Sequence, residues 1–556
     1  MISDITVIQQ VVLLLKAKGI QNIIISPGSR NAPFSISINQ DSFFKTYVVP
    51  DERVAAFIGM GMSQANGKPT ALICTSGSAV LNYFPAVAEA DYQHIPLIVI
   101  SADRPAEWID QADGQTIRQV GALKNHIKAE GQLNGNPSNA SEKWYNERSI
   151  NEVINSALTA PFGPVHINVP LNEPLYNQVE KPAVSVKNIE RVAVSRSLTN
   201  ETKTRLINTL KNIGHVFVLA GLQSNNETLQ KLLSNLVESR KVTVFTETTS
   251  NLHHPDFVTC IDRTIEGLTE DDNQKLKPNL LITIGGPIVS KKIKFWLRKN
   301  TAEQHWHVGH QPTDTYMCLT HHLDIEPEEL LELLDVLPTN NSASKKWVEI
   351  SRENRLAHQT FVDQVPFSDM FVFNQINQTL PENAVVQQGN SSVVRYMQLY
   401  DWKAGQTFYG NRGTSGIDGS TSTAVGFATQ TDKPVVMITG DISFFYDSNA
   451  FFHQHVPDNL KVILINNQGG SIFRIINGPS GTNELERYFE SHHQFNAKGI
   501  ADAYSVDFKS IDQQNQVKSA LEDLYQSKKA TILEICTPRF ENDQVLKDYF
   551  RAIKTN

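Results

Sequence analysis

Cysteine is scarce in this chain, and its four copies are spread too far apart to act together. Cys74, Cys260, Cys318 and Cys536 form no C-x-x-C pair and have no histidine at metal-binding spacing. That excludes a disulfide framework and a zinc site, and reads as small core residues in a reducing compartment. A basic tail or stripe is also missing. Lys and Arg number 50 against 58 Asp and Glu, a formal charge of −8, which excludes bulk nucleic-acid binding. Small anionic substrates stay open, because local charge decides their binding. No apolar run reaches the ~18 residues of a membrane span. The run Val11–Leu15 is short and follows Asp4, not a basic segment. It reads as an amphipathic helix with Asp4 as N-cap and Gly19 as its stop, not as a signal peptide, and a cytoplasmic protein is expected. No P-loop or G-x-G-x-x-G follows a first strand, which argues against a plain nucleotide-binding fold.

What the chain does contain is short apolar runs that end abruptly in Gly, Ser, Asp or Asn. Hydrophobic residues make up 40% and charged residues 19% of 556 positions, a composition suited to about three globular domains. Ile23–Ile25 ends in Ser26-Pro27-Gly28-Ser29-Arg30, Ala71–Cys74 in Thr75-Ser76-Gly77-Ser78, and Pro96–Ile100 in Ser101-Ala102-Asp103-Arg104. Val165–Val169 closes this first unit. Continuous apolar strands separated by helical stretches mean an α/β fold with parallel, doubly wound sheets. A strand-poor linker at residues 181–195 precedes a second α/β unit containing Val216–Gly221 and Leu280–Gly286. A polar linker at residues 338–345 separates it from a third unit. The expected domains are 1–180, 196–338 and 355–556. The third echoes the first: Ala71–Gly77, helix, Pro96–Arg104 parallels Pro434–Asp441, helix, Lys461–Gly470.

The densest signal lies in residues 434–473. Val435–Thr439 ends in Gly440-Asp441, and Val462–Ile465 ends in Asn466-Asn467-Gln468-Gly469-Gly470. Parallel strands joined by a crossover place their carboxyl ends side by side, where α/β sheets bind ligands. Asp441 and Asn467 therefore meet in space. A carboxylate, a carboxamide oxygen and the Gly469 carbonyl form an all-oxygen set suited to Mg²⁺ holding phosphates, and glycines let the backbone approach a diphosphate. Taken alone, two βα turns with nothing bound would read similarly.

This pattern resembles the diphosphate signature of thiamin diphosphate enzymes, with Ile442 where that family usually has a third glycine. The resemblance implies three doubly wound parallel-sheet domains, the first holding the cofactor's pyrimidine and the third its diphosphate. It also implies at least a homodimer, or a homotetramer, with active sites between subunits. The cofactors implied are thiamin diphosphate and Mg²⁺ or Mn²⁺, with Asp441, Asn467 and Gly469 on the metal. Glu52, where a strand-like run meets an Ala-rich helix, becomes the catalytic carboxylate set against the pyrimidine. Read by itself it would be a first-turn glutamate favoured by the helix dipole. Ile417, in the glycine-rich loop 411–419, becomes the bulky side chain under the cofactor. Gly440, Ile442, Ser443, Ser391 and Ile472 complete the cofactor set.

Cations also collect in the loops that follow strands: Arg30, Arg104, Lys291, Lys292, Arg395 and Arg412. Arginine pairs bidentately with carboxylates, so six in matching loops predict a pocket for several carboxylates. The motifs around Ser26–Pro33, Asp51–Arg53, Ala102–Pro105, Gln115–Gln119, Gly389–Arg395, Asn411–Gly413 and Asn467–Phe473 are similar to one branch, the menaquinone-pathway carboligases that join 2-oxoglutarate to isochorismate. By position, the resemblance puts Arg395, Arg412 and Ser391 at the 2-oxoglutarate carboxylate. It puts Ser29, Arg30, Arg104, Gln115, Lys291 and Lys292 on the isochorismate side, and Ile472 and Phe473 in an apolar wall. Simple 2-oxo-acid decarboxylases and acetolactate synthases fit less well: the former need one cation, and the middle unit lacks a flavin-type dinucleotide fingerprint.

Overall fold

A computed structural model describes residues 1–475 and 478–554, so the last two positions of the expected third domain lie outside the described residues. Three parallel sheets carry the chain. The first contains β1 (Asn22–Ile25), β2 (Lys45–Val48), β3 (Thr70–Cys74), β4 (Leu97–Asp103), β5 (Glu130–Gln132) and β6 (Val165–Pro170), in the spatial order β2-β1-β3-β4-β6-β5. The second contains β7 (Val216–Ala220), β8 (Thr243–Thr246), β9 (Leu280–Ile284), β10 (Gln304–Val308) and β11 (Leu319–Leu323), ordered β8-β7-β9-β10-β11. The third contains β12 (Val385–Gln388), β13 (Thr407–Tyr409), β14 (Val435–Gly440), β15 (Leu460–Asn466), β16 (Asp507–Ile511) and β17 (Thr531–Cys536), ordered β13-β12-β14-β15-β17-β16.

The first and third sheets thus share one strand order. The two segments that echo each other in sequence, β3–β4 and β14–β15, are the third and fourth strands of their sheets. Their residues are buried almost without exception, as expected when helices cover both faces.

Two details differ from the sequence-based expectation. The first helix is Thr6–Ala17 with Ile5, not Asp4, at the N-cap; Gly19 does end it, at φ +74°. The polar stretch 338–345 is not all linker, because a helix Ser342–Val362 starts inside it, capped by the Asn341 side chain. Residues 181–195 carry neither helix nor strand. Among the described residues no helix is long and apolar enough to cross a membrane.

Helix α1 (Glu52–Asn66) opens directly after β2, with the Asp51 side chain accepting the Val54 N–H at 3.2 Å and Gly67 ending it at φ +68°. Its sequence is apolar around most of its circumference, so it must be covered on several sides. A second helix, Ser420–Ala428 of the third unit, supplies that cover, and residues of both outer units share one core, including Phe57, Met60, Val425 and Phe427. Glycines make the crossing possible. A Cβ on Gly61 would lie 2.0 Å from the Thr423 carbonyl oxygen, and one on Gly426 would lie 1.9 Å from that of Ile58. Both obstacles are backbone and cannot swing aside. Gly61→Ala or Gly426→Ala is therefore expected to cost at least about 1–3 kcal/mol, read as an earlier unfolding midpoint in urea. Alanine variants as stable as the parent would refute this packing.

Candidate active site

The carboxyl ends of β13, β12, β14 and β15 lie next to one another, and their loops are tied by hydrogen bonds. Asn390, after β12, donates Nδ2 to the Asn411 and Gly416 carbonyls at 2.8 and 2.6 Å and accepts Arg412 Nη1 at 2.6 Å. Ser443, after β14, donates to the Ile417 carbonyl at 2.7 Å. Ser392 and Ser471 hydroxyls are 3.4 Å apart, joining the β12 and β15 loops. The structure therefore brings together Ser391, Arg395, Arg412, Ile417, Gly440, Asp441, Ile442, Ser443, Asn467, Gly469 and Ile472. The backbone is strained here. Ser391 sits at φ +67°, Ser415 at +64° and Gln468 at +66°, conformations that non-glycine residues adopt at a cost of order 1–3 kcal/mol.

Asp441 and Asn467 form the deepest corner. Asp441 accepts the Gly469 N–H at 2.8 Å and the Ile442 N–H at 2.7 Å. His493 Nδ1 accepts the Phe495 N–H, and its Nε2 lies 3.4 Å from Asp441 Oδ2 without a hydrogen bond of its own. Asn467 donates Nδ2 to Asp369 and Ser471 at 2.9 and 3.0 Å, while its Oδ1 is buried without a hydrogen-bond partner. A buried acceptor with no donor costs roughly 1–3 kcal/mol, and a hard cation offsets that cost. Gly440 fits the same purpose, since nothing lies within 4 Å of the place its Cβ would occupy. Gly469 stands at φ +152°, and a Cβ there would lie 2.8 Å from the Glu490 carbonyl. Among the described residues no three His, Cys, Asp or Glu side chains converge on a metal-sized space. The donor set is instead carboxylate, carboxamide and backbone carbonyl, which suits an ion that keeps phosphate oxygens and water in its shell. The residues fit a Mg²⁺–diphosphate pair.

Two half-buried arginines stand on the loops around this corner. Arg395 donates Nη1 to the Ser391 carbonyl at 2.6 Å, and Arg412 leaves a buried Nε with no partner. Burial lowers the pKa of both, and the charge of Arg395 adds to the lowering at Arg412. An anion placed between them relieves that penalty.

On the first sheet, Arg30 is buried, donates Nη1 to the Leu171 carbonyl at 2.9 Å and lies 3.4 Å from Glu173. Arg104 lies 3.6 Å from Asp113 and donates to the Gly114 carbonyl at 3.1 Å. Arg104 is near enough to destabilise the Arg30 charge. Ser29 and Gln115 are exposed beside them, Gln115 at φ +55°. Glu52, the first residue of α1, is half-buried. Burial raises its pKa, and the charge of Asp51 adds to the rise. Among the described residues no hydrogen bond or ion pair joins Glu52, Arg30 or Arg104 to the Asp441 corner.

The central unit contributes α2 (Lys291–Lys299), capped by the Ser290 side chain. Lys291 is exposed, but Lys292 is already engaged: it pairs with Glu266 and sits 3.5 Å over the Phe550 ring. Ile472 is buried, and Phe473 packs against Phe489 at 5.8 Å between ring centres.

Three positioning carboxylates are not apparent from the sequence. Glu89, buried in a helix of the first unit, accepts the Gly413 and Thr414 N–H groups at 2.7 and 2.6 Å and the Thr414 hydroxyl at 2.5 Å, gripping the loop that carries Arg412 and Ile417. Glu247 accepts the Val289 and Ser290 N–H groups at 2.6 and 2.7 Å just before α2, and burial pushes its pKa up to about 7. Asp369 holds Asn467. The only sequence signal for Glu89 is a lone acid in the apolar run Ala86–Ala90.

Residues 5–126 match the thiamine pyrophosphate enzyme N-terminal TPP binding domain, and residues 388–535 match the corresponding C-terminal TPP binding domain. The chain is 43% identical to the 2-succinyl-5-enolpyruvyl-6-hydroxy-3-cyclohexene-1-carboxylate synthase of Flavobacterium johnsoniae over 99% of both chains. It is 40% identical to the synthase of that name from Christiangramia forsetii over the whole of both, and 37% identical to that of Porphyromonas gingivalis over 97% of this chain and 96% of the other. The chain belongs to this synthase family. As a member of the synthase family it is a thiamin diphosphate enzyme, with the three-sheet α/β fold expected from the motifs. The two matched TPP binding domains fall on the two sheets of identical strand order, the N-terminal match covering the first four strands of its sheet, and the Asp441–Asn467 corner falls within the C-terminal match.

Proposed function

We propose that this chain decarboxylates 2-oxoglutarate and adds the resulting four-carbon unit to isochorismate in a 1,4-fashion, giving 2-succinyl-5-enolpyruvyl-6-hydroxy-3-cyclohexene-1-carboxylate for menaquinone synthesis. The observation that carries this reading is the pair of half-buried cations, Arg395 and Arg412, on the loops around the Asp441–Asn467 corner. A 2-oxo acid with a second, distal carboxylate needs such a pair, and a pyruvate-type substrate does not.

Asp441, Asn467 Oδ1 and the Gly469 carbonyl would hold Mg²⁺ or Mn²⁺. Gly440, Ile442, Ser443, Ser391 and Ile472 would line the cofactor, with Ile417 beneath it. When bound, thiamin diphosphate supplies the electron sink that makes loss of CO₂ from a 2-oxo acid feasible. Glu52 would share a proton with N1′ of the pyrimidine, a task suited to a carboxyl whose burial keeps it protonated to higher pH than a free glutamate. Arg395, Arg412 and Ser391 take the distal carboxylate of 2-oxoglutarate. Ser29, Arg30, Arg104, Gln115 and the Lys291–Lys292 pair face isochorismate, with Lys291 the one that meets solvent. Ile472 and Phe473 wall off water.

Among the described residues no hydrogen bond or ion pair joins Glu52 to the Asp441 corner, which fits a homodimer, or a homotetramer, in which Glu52 of one copy serves the Asp441 corner of another. We place the reaction in the cytoplasm, where four unpaired cysteines remain reduced.

The test is a coupled assay that follows isochorismate absorbance with thiamin diphosphate, Mg²⁺, 2-oxoglutarate or enzyme omitted in turn. Consumption that needs every component supports the proposal, and CO₂ release without isochorismate loss reassigns the acceptor. Arg395→Ala or Arg412→Ala should raise the KM for 2-oxoglutarate roughly 10- to 150-fold, the equivalent of a charge-assisted hydrogen bond of ~1.5–3 kcal/mol. An unchanged KM in both variants would overturn the substrate placement.

A further inference from the structure

We infer that Asp369 is a positioning residue that turns the Asn467 carboxamide so that its oxygen faces the cation. This rests on the reading of Asp441, Asn467 and Gly469 as a cation site. A carboxamide has two ends of nearly equal size, and which end faces outward is decided by what the other end meets. Here Asn467 Nδ2 meets Asp369 Oδ2 at 2.9 Å and Ser471 Oγ at 3.0 Å. An ionised carboxylate only accepts hydrogen bonds, so Asp369 can pair with the NH₂ end alone. The flipped amide would set two oxygens against each other in a buried place. Oδ1 is consequently turned away from Asp369, buried and with no partner of its own.

Asp369 is itself rigidly held. It is 1% exposed, in the first turn of the helix Asp369–Thr379. Its Oδ1 accepts the Thr537 hydroxyl at 2.6 Å, and its N–H donates to Asn542 Oδ1 at 2.7 Å. Asn542 in turn donates Nδ2 to the Pro538 carbonyl at 2.9 Å. The end of β17, the last helix and the helix Asp369–Thr379 therefore converge to place one carboxylate behind one carboxamide. An asparagine would fill the same volume and keep the helix start. What only a carboxylate supplies is an unambiguous acceptor, and that is why the site tolerates a second buried acid near Asp441.

The experiment measures Mn²⁺ affinity by the electron paramagnetic resonance signal of the free ion, with thiamin diphosphate saturating and no substrate, so turnover plays no part. Asp369→Asn lets the amide at 467 pair in either sense and should weaken Mn²⁺ binding roughly 10- to 100-fold, the range typical of residues that orient a metal ligand. The exchanged pair, Asp369→Asn with Asn467→Asp, restores one acceptor facing one NH₂ and leaves an oxygen for the cation, so most of the lost affinity should return. A residue that served only to hold the fold would not show this rescue. Binding by Asp369→Asn equal to the parent's overturns the inference, and so does an exchanged pair that folds but stays weak. If Asp369→Asn alone does not fold, the exchanged pair decides by itself. A parent protein that binds no Mn²⁺ with thiamin diphosphate would instead overturn the reading of the cation site.

Discussion

Glu52→Gln is expected to keep the fold and bind Mg²⁺ and thiamin diphosphate as the parent does, yet lose at least ~100-fold in kcat, the lower range for a positioned acid–base group. The side chain changes only in its ability to carry and return a proton. Its surroundings are ready for that exchange: the residue opens α1, is half-buried, and has its pKa raised first by burial and then by Asp51. The raised value means the carboxyl holds its proton to higher pH than a solvated glutamate, which suits it to sharing a proton with a ring nitrogen. Retained cofactor affinity should be checked by titration in the absence of substrate. Parent-like kcat with bound cofactor would remove Glu52 from catalysis.

Asp441→Ala should have the larger effect on binding. It removes the charged group of the cation set and strands the Gly469 and Ile442 N–H groups that donate to it. Breaking a buried charge pair costs at least ~3 kcal/mol, roughly 100-fold in affinity. The expected result is a matching loss of Mg²⁺-dependent thiamin diphosphate binding, followed by the cofactor's circular dichroism or by calorimetry. Binding within a few-fold of the parent would show that the metal sits elsewhere.

Much of this site is legible in the amino-acid sequence, because strand ends are local features. The runs Val435–Thr439 and Val462–Ile465 declare themselves as buried parallel strands, and where each run stops a loop must begin. Asp441 and Asn467 can therefore be paired from the topology of adjacent strands alone. The shared plan of the outer units is visible for the same reason. The helix boundaries are less so: Asp4 looks like a cap, but the chain enters the first helix one residue later, at Ile5. Lys292 illustrates a different limit. Its place at the start of α2 suggests a substrate cation, and the fold adds an ion pair with Glu266 and a contact with the Phe550 ring. Nothing in the local sequence announces either partner.

The amino-acid sequence by itself determined the parallel α/β class, the strand ends that gather the chemistry, and the kinds of groups placed there, since these depend on periodicity and residue type. Only the tertiary structure decided which groups act on which. Asp369 reaches Asn467 from far along the chain, Glu89 of the first unit grips the loop of the third, and Gly61 and Gly426 let two helices touch backbone to backbone. The physical reason is range. A strand or cap is set by neighbours a few residues away, whereas a hydrogen bond needs two atoms within about 3 Å, a condition that chain spacing alone does not fix.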